Sequence, residues 1–477
     1  MKKKTKIIAT ISDFRCEVEY IRNLFEAGMN VVRINTAHCP MEAATQIVKN
    51  VREVSESIAI LIDTKGPEMR TTKVAEAFEV KSGDEIKVTG TVSAEDVSSR
   101  EMIYVNDVNF VEEVPVGSFV LIDDGDIELE VIGKNADELI CRVGNGGLIK
   151  SRKSVNVPNV PIMLPSLTAK DIDYIHWAIE QDIEFVAHSF VRTGQDLIDI
   201  QEILDAEHSH IKLIAKIENQ QGVDNIDEIL DHCYSVMVAR GDLGVELNAE
   251  QIPIAQRSLV KKCIQSKKPV IIATQMLHSM IENPRPTRAE VSDIANAIYQ
   301  RVDAIMLSGE TANGKYPVEA VRTMTKVAIA IEANLPEIEE VNMVRVNNEV
   351  TAQLSRSAVR STQNLPIKAI ITDTLSGRTA RYLSAYRATK PVYALCYRKH
   401  VARELALSFG IAAYYGEPSI IHDRFSFQML QKLEDQHKLE NEDMVIVIGG
   451  SFGASRGASF VEISKVLHLM NKAMIED

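Results

Sequence analysis

Short apolar runs recur along the chain, and each of them ends abruptly in polar or charged residues. A run of strand length with polar residues at its ends is typical of a strand buried in a parallel sheet. We identify eight such runs, at residues 6–9, 30–32, 58–62, 184–187, 212–215, 236–239, 269–273 and 304–307. Amphipathic stretches such as 17–27 and 289–299 lie between them. This alternation predicts a closed (β/α)8 TIM barrel, with an open doubly wound sheet as the alternative.

The stretch between the third and fourth runs has a different period. Apolar and polar residues alternate there at 84–89, 118–122 and 139–143, between turns rich in Gly and Asp at 123–126 and 144–147. A period of two predicts antiparallel strands, so we expect a small inserted β-barrel domain. An insertion too long for a loop, placed at the active-site end of the barrel, is expected to act as a lid.

The barrel pattern stops after residues 336–340. A helix rich in small residues is predicted at 349–361, and strands are predicted at 368–371, 392–395 and 444–448. We therefore expect a separate C-terminal α/β domain. The predicted division is a catalytic barrel at 1–67 and 159–340, a lid at 68–158 and a regulatory domain at 341–477.

Charge, cysteine content and hydropathy argue against a nucleic-acid-binding protein, a zinc protein and a membrane-spanning protein. The 477 residues carry a formal net charge of -14, which argues against nucleic acid as a main partner because phosphate backbones need a basic surface. The six cysteines are scattered without a C-x-x-C pair, which indicates a reducing compartment and no zinc site. No apolar window approaches the length of a membrane span. These observations predict a cytoplasmic protein without membrane contact.

Two of the predicted neighbouring strands end in a dense set of charges. One run ends in Lys216 and Glu218, and the next ends in Arg240 and Asp242. Two carboxylates and a lysine suit a divalent cation beside a phosphoryl group, because Mg²⁺ prefers hard oxygen ligands and phosphate attracts a point charge. The alternative is that both acids only stabilise helix N-termini through the helix dipole.

Several long motifs resemble those of pyruvate kinases, over almost the whole chain. They are GMNVVRIN at 28–35, IDTKGPEMRT at 62–71, LIAKIENQQGV at 213–223, MVARGDLGVE at 237–246, ATQML at 273–277, NPRPTRAEVSDIANAI at 283–298 and MLSGETANGKYPVEAV at 306–321. The resemblance implies the barrel, the lid and the C-terminal domain. It also implies transfer of a phosphoryl group from phosphoenolpyruvate to ADP, giving pyruvate and ATP in glycolysis (EC 2.7.1.40). The implied cofactors are Mg²⁺ or Mn²⁺ and K⁺. The implied enzyme is an allosteric homotetramer.

The same resemblance implies a role for each residue that matches a family motif. Glu218 and Asp242 would bind Mg²⁺, Lys216 would stabilise the moving phosphoryl group, and Arg33 would bind its oxygens, unless Arg33 only forms a barrel ion pair. The pyruvate end would be bound by Ala239, Arg240, Gly241, Asp242 and Thr274. The proton path to the enolate would involve Thr274, Ser308 and Glu310.

Nucleotide and monovalent-cation sites are implied in the same way. The nucleotide contacts would be Asn35, His38, Arg70 and Lys153, with exposed hinge charges as the alternative for the last two. The potassium ligands would be Asn35, Asp63 and Thr64, and Glu68 matches the form associated with potassium dependence.

Two departures from the family pattern affect these sites. Ala37 stands where the family has a serine that offers its hydroxyl to potassium, so either water or a backbone carbonyl fills that position or the affinity for potassium falls. Ser12 and Asp13 stand where the family has Gly-Pro beside the expected adenine pocket. The departures concern the cation and the nucleotide, and they leave the phosphoryl-transfer residues unchanged.

A loop in the C-terminal domain resembles the family's sugar-phosphate effector site. It contains Thr374, Ser376, Gly377, Arg378 and Thr379 between a strand and a helix, and a helix N-terminus with hydroxyls suits phosphate. A plain strand–helix turn is an equal alternative. The later glycine-rich loop at 449–453 departs from the family pattern.

Two other functions compete with the kinase. A catalytically silent relative that senses phosphoenolpyruvate or a sugar phosphate would not need Lys216. A barrel lyase that uses phosphoenolpyruvate or pyruvate would not need a lid with Arg70 and Lys153. Lys216, Arg70 and Lys153 are all present, which favours the kinase.

Overall fold

A computed structural model shows the first three strands of a barrel, after which an inserted domain interrupts the alternation of strands and helices. The structure describes residues 3–91, 93, 95–335, 341–417, 424–450 and 457–475. The predicted end of the barrel pattern at 336–340 and residues 451–453 of the glycine-rich loop lie outside these ranges. The first elements are β1 (Lys6–Thr10), α1 (Val18–Ala27), β2 (Val31–Asn35), α2 (Met41–Val54) and β3 (Ala59–Asp63).

The inserted lid follows β3. Its elements are β4 (Lys73–Val74), β5 (Phe78–Val80), β6 (Glu85–Gly90), β7 (Val97–Ser98), β8 (Met102–Val105), α3 (Phe110–Glu113), β9 (Phe119–Ile122), β10 (Ile127–Lys134), β11 (Leu139–Asn145), β12 (Gly147–Ile149) and β13 (Val155–Asn156). Six strands form one sheet in the order β13-β9-β10-β11-β6-β8, which curls into a half-barrel and confirms the predicted β lid.

Two details of the lid differ from the sequence expectation. The pairs β6/β8 and β4/β7 run parallel, because alternation of side chains predicts a strand but not its direction. Residues 144–147 were expected as a turn, yet they end β11 and begin β12. A Cβ on Gly146 would lie 2.4 Å from the carbonyl oxygen of Val80. Because residue 146 is a glycine, the chain between β11 and β12 can pass close to β5 instead of forming the expected turn.

The barrel then resumes with its second half. These elements are α4 (Ala169–Glu180), β14 (Phe185–His188), α5 (Gly194–Ala206), β15 (Lys212–Ile217), α6 (Gln220–Asp224), α7 (Ile226–His232), β16 (Ser235–Ala239), α8 (Arg240–Glu246), α9 (Ile252–Gln265), β17 (Val270–Ala273), a 3-10 turn (His278–Ile281), α10 (Arg288–Tyr299), β18 (Ala304–Leu307), α11 (Gly309–Ala312) and α12 (Pro317–Glu332).

Eight parallel strands close the barrel in the order β1-β18-β17-β16-β15-β14-β3-β2. Closure comes from β1, which pairs with β18 through Lys6 and Ala304 and with β2 through Ile8 and Val31. All eight predicted strands are confirmed. Because the strands are parallel, their carboxyl ends meet at one rim, and the polar residues that follow the apolar runs gather there.

The C-terminal domain is built on a mixed sheet. Its elements are α13 (Glu349–Asn364), β19 (Ile367–Thr374), α14 (Arg378–Ala385), β20 (Val392–Cys396), α15 (Lys399–Glu404), a 3-10 turn (Leu405–Leu407), β21 (Ile411–Tyr415), α16 (Arg424–Asp435), β22 (Met444–Gly449), β23 (Phe460–Lys465) and α17 (Val466–Ile475). The strand order is β21-β20-β19-β22-β23, and only the β22/β23 pair is antiparallel among these five strands. The predicted α/β domain is confirmed.

The C-terminal domain is anchored to the amino-end of the barrel strands. Leu407, fully buried, belongs to the same apolar cluster as the barrel-interior residues Ile8, Phe185 and Met237. Beside it, Arg387 donates two hydrogen bonds to Asp303, at 2.8 and 2.7 Å. The C-terminal domain therefore fills the floor of the barrel with a side chain of its own.

None of the helices within the described ranges has the length and apolar character required to cross a membrane. The six cysteines are unpaired.

We expect Leu407→Ala to lower the free energy of unfolding by about 2–5 kcal/mol, because truncation of a buried leucine leaves a cavity. The measurement is the denaturant midpoint of the full chain. Leu365→Ala, at a position that is 41% exposed, is the matched control and should shift the midpoint little. Equal shifts for both variants would contradict the role of Leu407 as a core residue.

Candidate active site

Four charged side chains alternate in sign at the carboxyl rim of the barrel. Arg33 Nε donates to Asp63 Oδ2 at 2.7 Å, and Lys216 Nζ lies 2.9 Å from Asp63 Oδ1 and 3.0 Å from Glu218 Oε1. Arg33 is the middle residue of β2, Asp63 closes β3, Lys216 is the second-last residue of β15, and Glu218 follows that strand directly. The four residues are buried, so each charge is stabilised mainly by its neighbours in the row.

The protonation of these groups follows from their surroundings. Burial would raise the pKa of Asp63, but Arg33 and Lys216 hold it below its usual value. Burial would lower the pKa of Lys216, but the carboxylates of Asp63 and Glu218 hold it above its usual value. Burial and the nearby Asp242 raise the pKa of Glu218 to about 7, against the attraction of Lys216. A lysine held charged at the rim is suited to anionic groups.

The loop after β14 contributes contacts that our sequence analysis did not assign. Ser189 Oγ accepts a hydrogen bond from Lys216 Nζ at 2.6 Å and donates to the carbonyl oxygen of Thr64 at 2.7 Å. The backbone N–H of Phe190 donates to Glu218 Oε2 at 2.7 Å. The signal was present, because the apolar run at 184–187 ends in His188 and Ser189 just as the other runs end in site residues.

His188 is buried behind this loop, and burial lowers its pKa to about 4. Its Nδ1 lies 3.2 Å from Thr64 Oγ1. The imidazole is therefore neutral at physiological pH, and it supports the rim through hydrogen bonding rather than through charge.

The loop after β17 holds Thr274 in an unusual backbone conformation. Its φ is +69°, a left-handed value that is costly for a β-branched residue, by about 1–3 kcal/mol. The N–H of Gly241 donates to Thr274 Oγ1 at 2.7 Å. Arg240 donates to the carbonyl oxygen of Thr274 at 2.8 Å and to Asp293 at 2.8 Å. The guanidinium of Arg240 therefore holds the backbone of Thr274 in place next to the Ala239–Gly241 segment.

Ser308 and Glu310 follow β18. Glu310 is buried, and its two carboxylate oxygens accept the backbone N–H groups of Leu277 at 3.1 Å and of Ser308 at 2.8 Å. Thr10 lies close by, where its Oγ1 accepts from Arg33 Nη1 at 3.0 Å. Glu310 thus joins the loops after β17 and β18, and this linkage fixes the positions of Thr274 and Ser308.

Glu218 and Asp242 fit a divalent cation of the magnesium type. Within the described ranges, no three His, Cys, Asp or Glu side chains are arranged to enclose a metal ion. Mg²⁺ is usually held by one or two carboxylates, with water and substrate phosphate oxygens as the other ligands. Two carboxylates on adjacent strand ends, next to a charged lysine, match that donor set.

The three expected potassium ligands lie together, but their side chains already have partners. Asn35 and Asp63 are register neighbours on β2 and β3. Asn35 Oδ1 accepts from the N–H of Ala37 at 3.1 Å, and Thr64 Oγ1 accepts from the N–H of Ser189 at 3.2 Å. The carbonyl oxygen of Ala37 accepts from Lys170 Nζ at 3.2 Å.

The expected nucleotide contacts are divided between the lid and the rim. Arg70 Nη2 lies 2.7 Å from Glu68 Oε1, and Lys153 Nζ lies 2.7 Å from Asp123 Oδ1. The two cations lie on adjacent chain segments of the lid, because Arg70 forms an antiparallel β-bridge with Ser154, the residue after Lys153. His38 is exposed in the turn after β2. Both cations expected to contact the nucleotide are therefore paired with carboxylates of the lid.

The expected effector residues lie in the C-terminal domain, apart from the rim. Thr374 closes β19, Gly377 has a φ of +74°, and α14 begins at Arg378. Arg381 donates to the carbonyl oxygen of Ser376 at 3.0 Å. Ser376 is exposed, whereas Thr379 is buried. The five residues form one strand–turn–helix connection.

Comparison with known proteins agrees with the geometry. The barrel domain of pyruvate kinase matches residues 2–321 as a family model, and the alpha/beta domain of pyruvate kinase matches residues 352–464. The pyruvate kinase of Borreliella burgdorferi is 46% identical over 469 residues, which cover 97% of this chain and 98% of that protein. The pyruvate kinase of Bacillus licheniformis is 42% identical over 471 residues, which cover 97% of this chain and 80% of that protein.

A solved structure shows the same fold. The crystal structure of a pyruvate kinase from Cryptosporidium parvum matches with a TM-score of 0.89 and 34% sequence identity, covering 98% of this chain and 96% of that chain. The chain therefore belongs to the pyruvate kinase family, whose enzymes transfer a phosphoryl group between phosphoenolpyruvate and ADP (EC 2.7.1.40), and it has that activity.

Proposed function

We propose that the row of alternating charges at the barrel rim carries the phosphoryl transfer. The observation that supports this proposal is the position of Lys216 Nζ, which is buried between Asp63 and Glu218 at 2.9 and 3.0 Å. A transferring phosphoryl group spreads negative charge over its oxygens, and fixed positive charges stabilise that state. Lys216 supplies such a charge without reorganisation, since its ammonium is already held by carboxylates.

Arg33 binds the phosphoryl oxygens in this proposal. Its guanidinium plane is fixed because Nε donates to Asp63 and Nη1 donates to Thr10. An arginine presents five N–H donors, so donors beyond these two contacts serve the phosphate. The orientation of the fork then aligns the phosphoryl group with Lys216.

Mg²⁺, or Mn²⁺ in its place, would be held by Glu218 and Asp242, and it would neutralise charge on the phosphoryl oxygens. Glu218 is positioned for this by the N–H of Phe190. The carboxylate of the substrate is bound by the backbone at Ala239, Arg240, Gly241 and Asp242 and by Thr274. The Arg240 side chain acts there as a positioning group.

Protonation of the enolate is assigned to the hydroxyl groups of Thr274 and Ser308. Glu310 is a weaker donor in this proposal, because each of its oxygens already accepts a backbone N–H. It holds the two hydroxyls in place instead.

The nucleotide and the monovalent cation complete the proposed site. ADP or ATP phosphates are assigned to Arg70 and Lys153 of the lid, with Asn35 and His38 on the rim. K⁺ is assigned to Asn35, Asp63 and Thr64. Support comes from the shared location of these residues and from the family motifs.

The remaining proposals concern organisation. We assign the barrel to 1–67 and 159–340, the lid to 68–158 and the regulatory domain to 341–477, since separate apolar cores support three units. A sugar-phosphate effector site at residues 374–379 is supported by the strand–turn–helix connection. A homotetramer is supported by the family resemblance.

The test of the function is pyruvate formation from phosphoenolpyruvate by the purified chain, with and without ADP, Mg²⁺ and K⁺. Turnover should require ADP and Mg²⁺ and should rise with K⁺. Lack of ADP-dependent turnover would overturn the assignment and would favour a sensor of phosphoenolpyruvate.

We expect Lys216→Met to lower kcat by at least about 10²–10³-fold, the usual loss when one electrostatic stabiliser is removed. Mn²⁺ binding, followed by electron paramagnetic resonance, should change little because Glu218 and Asp242 remain. Lys212→Met, on the same strand at its other end, is the matched control and should keep normal turnover. Near-normal activity of Lys216→Met would refute the role of this lysine.

We expect Ala37→Ser to lower the K⁺ concentration required for half-maximal activity, because the hydroxyl adds an oxygen ligand that the methyl group lacks. The measurement is the K⁺ dependence of turnover at saturating substrates. Ala43→Ser, on α2, serves as the control for an added hydroxyl. An unchanged K⁺ dependence would show that water or a carbonyl already completes this position.

A further inference from the structure

A cavity of about 470 Å³ lies between the lid and the barrel, to one side of the charged row. Lid residues around Val155 and Val157 form one wall, and the barrel loops at Phe190, Asn219 and Glu246 form the other. Asp242 is the residue that the cavity shares with the proposed phosphoryl-transfer site. Its size is within the range of small-molecule sites, which often occur between domains.

One wall of the cavity is apolar. It is formed by side chains of the segment that leads from the lid back to the barrel, Val155, Val157, Val160, Ile162 and Leu164, and the Phe190 ring of the β14 loop also lines the cavity. Val155 and Val157 are already buried in the core of the lid, whereas Val160, Ile162, Leu164 and Phe190 are partly exposed. A ligand with a hydrocarbon body would remove these four side chains from water, which is favourable in proportion to the area covered.

The remaining charge on the cavity is negative. Glu68 is paired with Arg70 at 2.7 Å, and the carboxylates that remain are Asp124, Asp224, Asp242 and Glu246. The cavity also contains Arg192, but that guanidinium lies 2.8 Å from Asp196 and donates to the carbonyl oxygen of Leu164 at 2.9 Å. The cavity therefore repels phosphoenolpyruvate and nucleotides, which are polyanions.

Glu246 lies where the two walls meet. Its Oε1 accepts from Asn156 Nδ2 of the lid at 3.2 Å, and burial raises its pKa. An amide compensates a half-buried carboxylate less well than a cation does, because hydrogen bonds between charged groups are the stronger ones. The geometry favours a positive group beside Glu246.

We propose that this cavity binds a small organic cation, an ammonium group with a hydrocarbon body, whose charge lies against Glu246 and whose body covers Val160, Ile162, Leu164 and Phe190. The ligand would contact lid and barrel together. Because one ligand would hold lid and barrel at a single separation, an occupied cavity slows turnover without competing for the phosphoenolpyruvate site.

The test uses three probes with the same six-carbon chain: hexylammonium, hexanol and hexanoate. Each is titrated into the full chain at saturating Mg²⁺, phosphoenolpyruvate and ADP, and binding is followed by calorimetry in parallel with turnover. We expect hexylammonium to bind at least about tenfold more tightly than hexanol, and hexanoate to bind least. We also expect it to lower kcat with little change in KM for phosphoenolpyruvate.

Glu246→Gln keeps an oxygen for Asn156 and removes the charge. We expect this variant to bind hexylammonium no more tightly than hexanol while its basal turnover remains near normal. Glu250→Gln, at an exposed residue four positions later, is the matched control and should keep the preference for the cation. Equal binding of hexanol and hexylammonium to the unmodified chain, an unchanged preference in Glu246→Gln, or competition with phosphoenolpyruvate would each overturn the proposal.

Discussion

The buried carboxylate of Asp63, between Arg33 and Lys216, is the interaction on which the barrel rim depends. A charge inside a protein is costly unless it is paired and hydrogen-bonded, and removal of one partner leaves the other uncompensated. Asp63 compensates two cations at once, at 2.7 and 2.9 Å, and Lys216 in turn compensates Glu218. The residues proposed for the chemistry therefore also stabilise one another, so the rim holds its electrostatic arrangement before substrate arrives.

The rest of the rim is held by hydrogen bonds, whereas the lid cations are held only by partly exposed ion pairs. Thr274 keeps a left-handed backbone because Arg240, the Gly241 N–H and the loop joined by Glu310 all hold it. On the lid, Arg70 and Lys153 form partly exposed ion pairs with Glu68 and Asp123, and such pairs contribute little to stability. The molecule thus combines a fixed set of charges on the barrel with cations on the lid that exchange partners at small cost.

The sequence predicted the barrel well because its strands are buried on both faces. Such strands are continuous apolar runs, and the first polar residue after each run marks the rim. The apolar runs do not predict which partner a side chain contacts. Arg240 donates to the backbone carbonyl oxygen of Thr274, and Lys153 forms an ion pair with Asp123, which is distant in the chain. The parallel pairs of the lid escaped prediction because alternation does not encode direction. Ser189 was within reach, since it follows an apolar run as the other rim residues do.

Leu407 on the floor of the barrel affects how the protein is made. β1 pairs with β18, so a ribosome must synthesise most of the barrel sequence before the ring closes, and the interior still lacks Leu407 until much of the C-terminal domain has emerged. Contacts so distant in sequence form slowly, and incomplete barrels expose apolar surface. The nascent chain therefore exposes apolar surface until the C-terminal domain has emerged, and a barrel released without that domain would carry an open apolar floor.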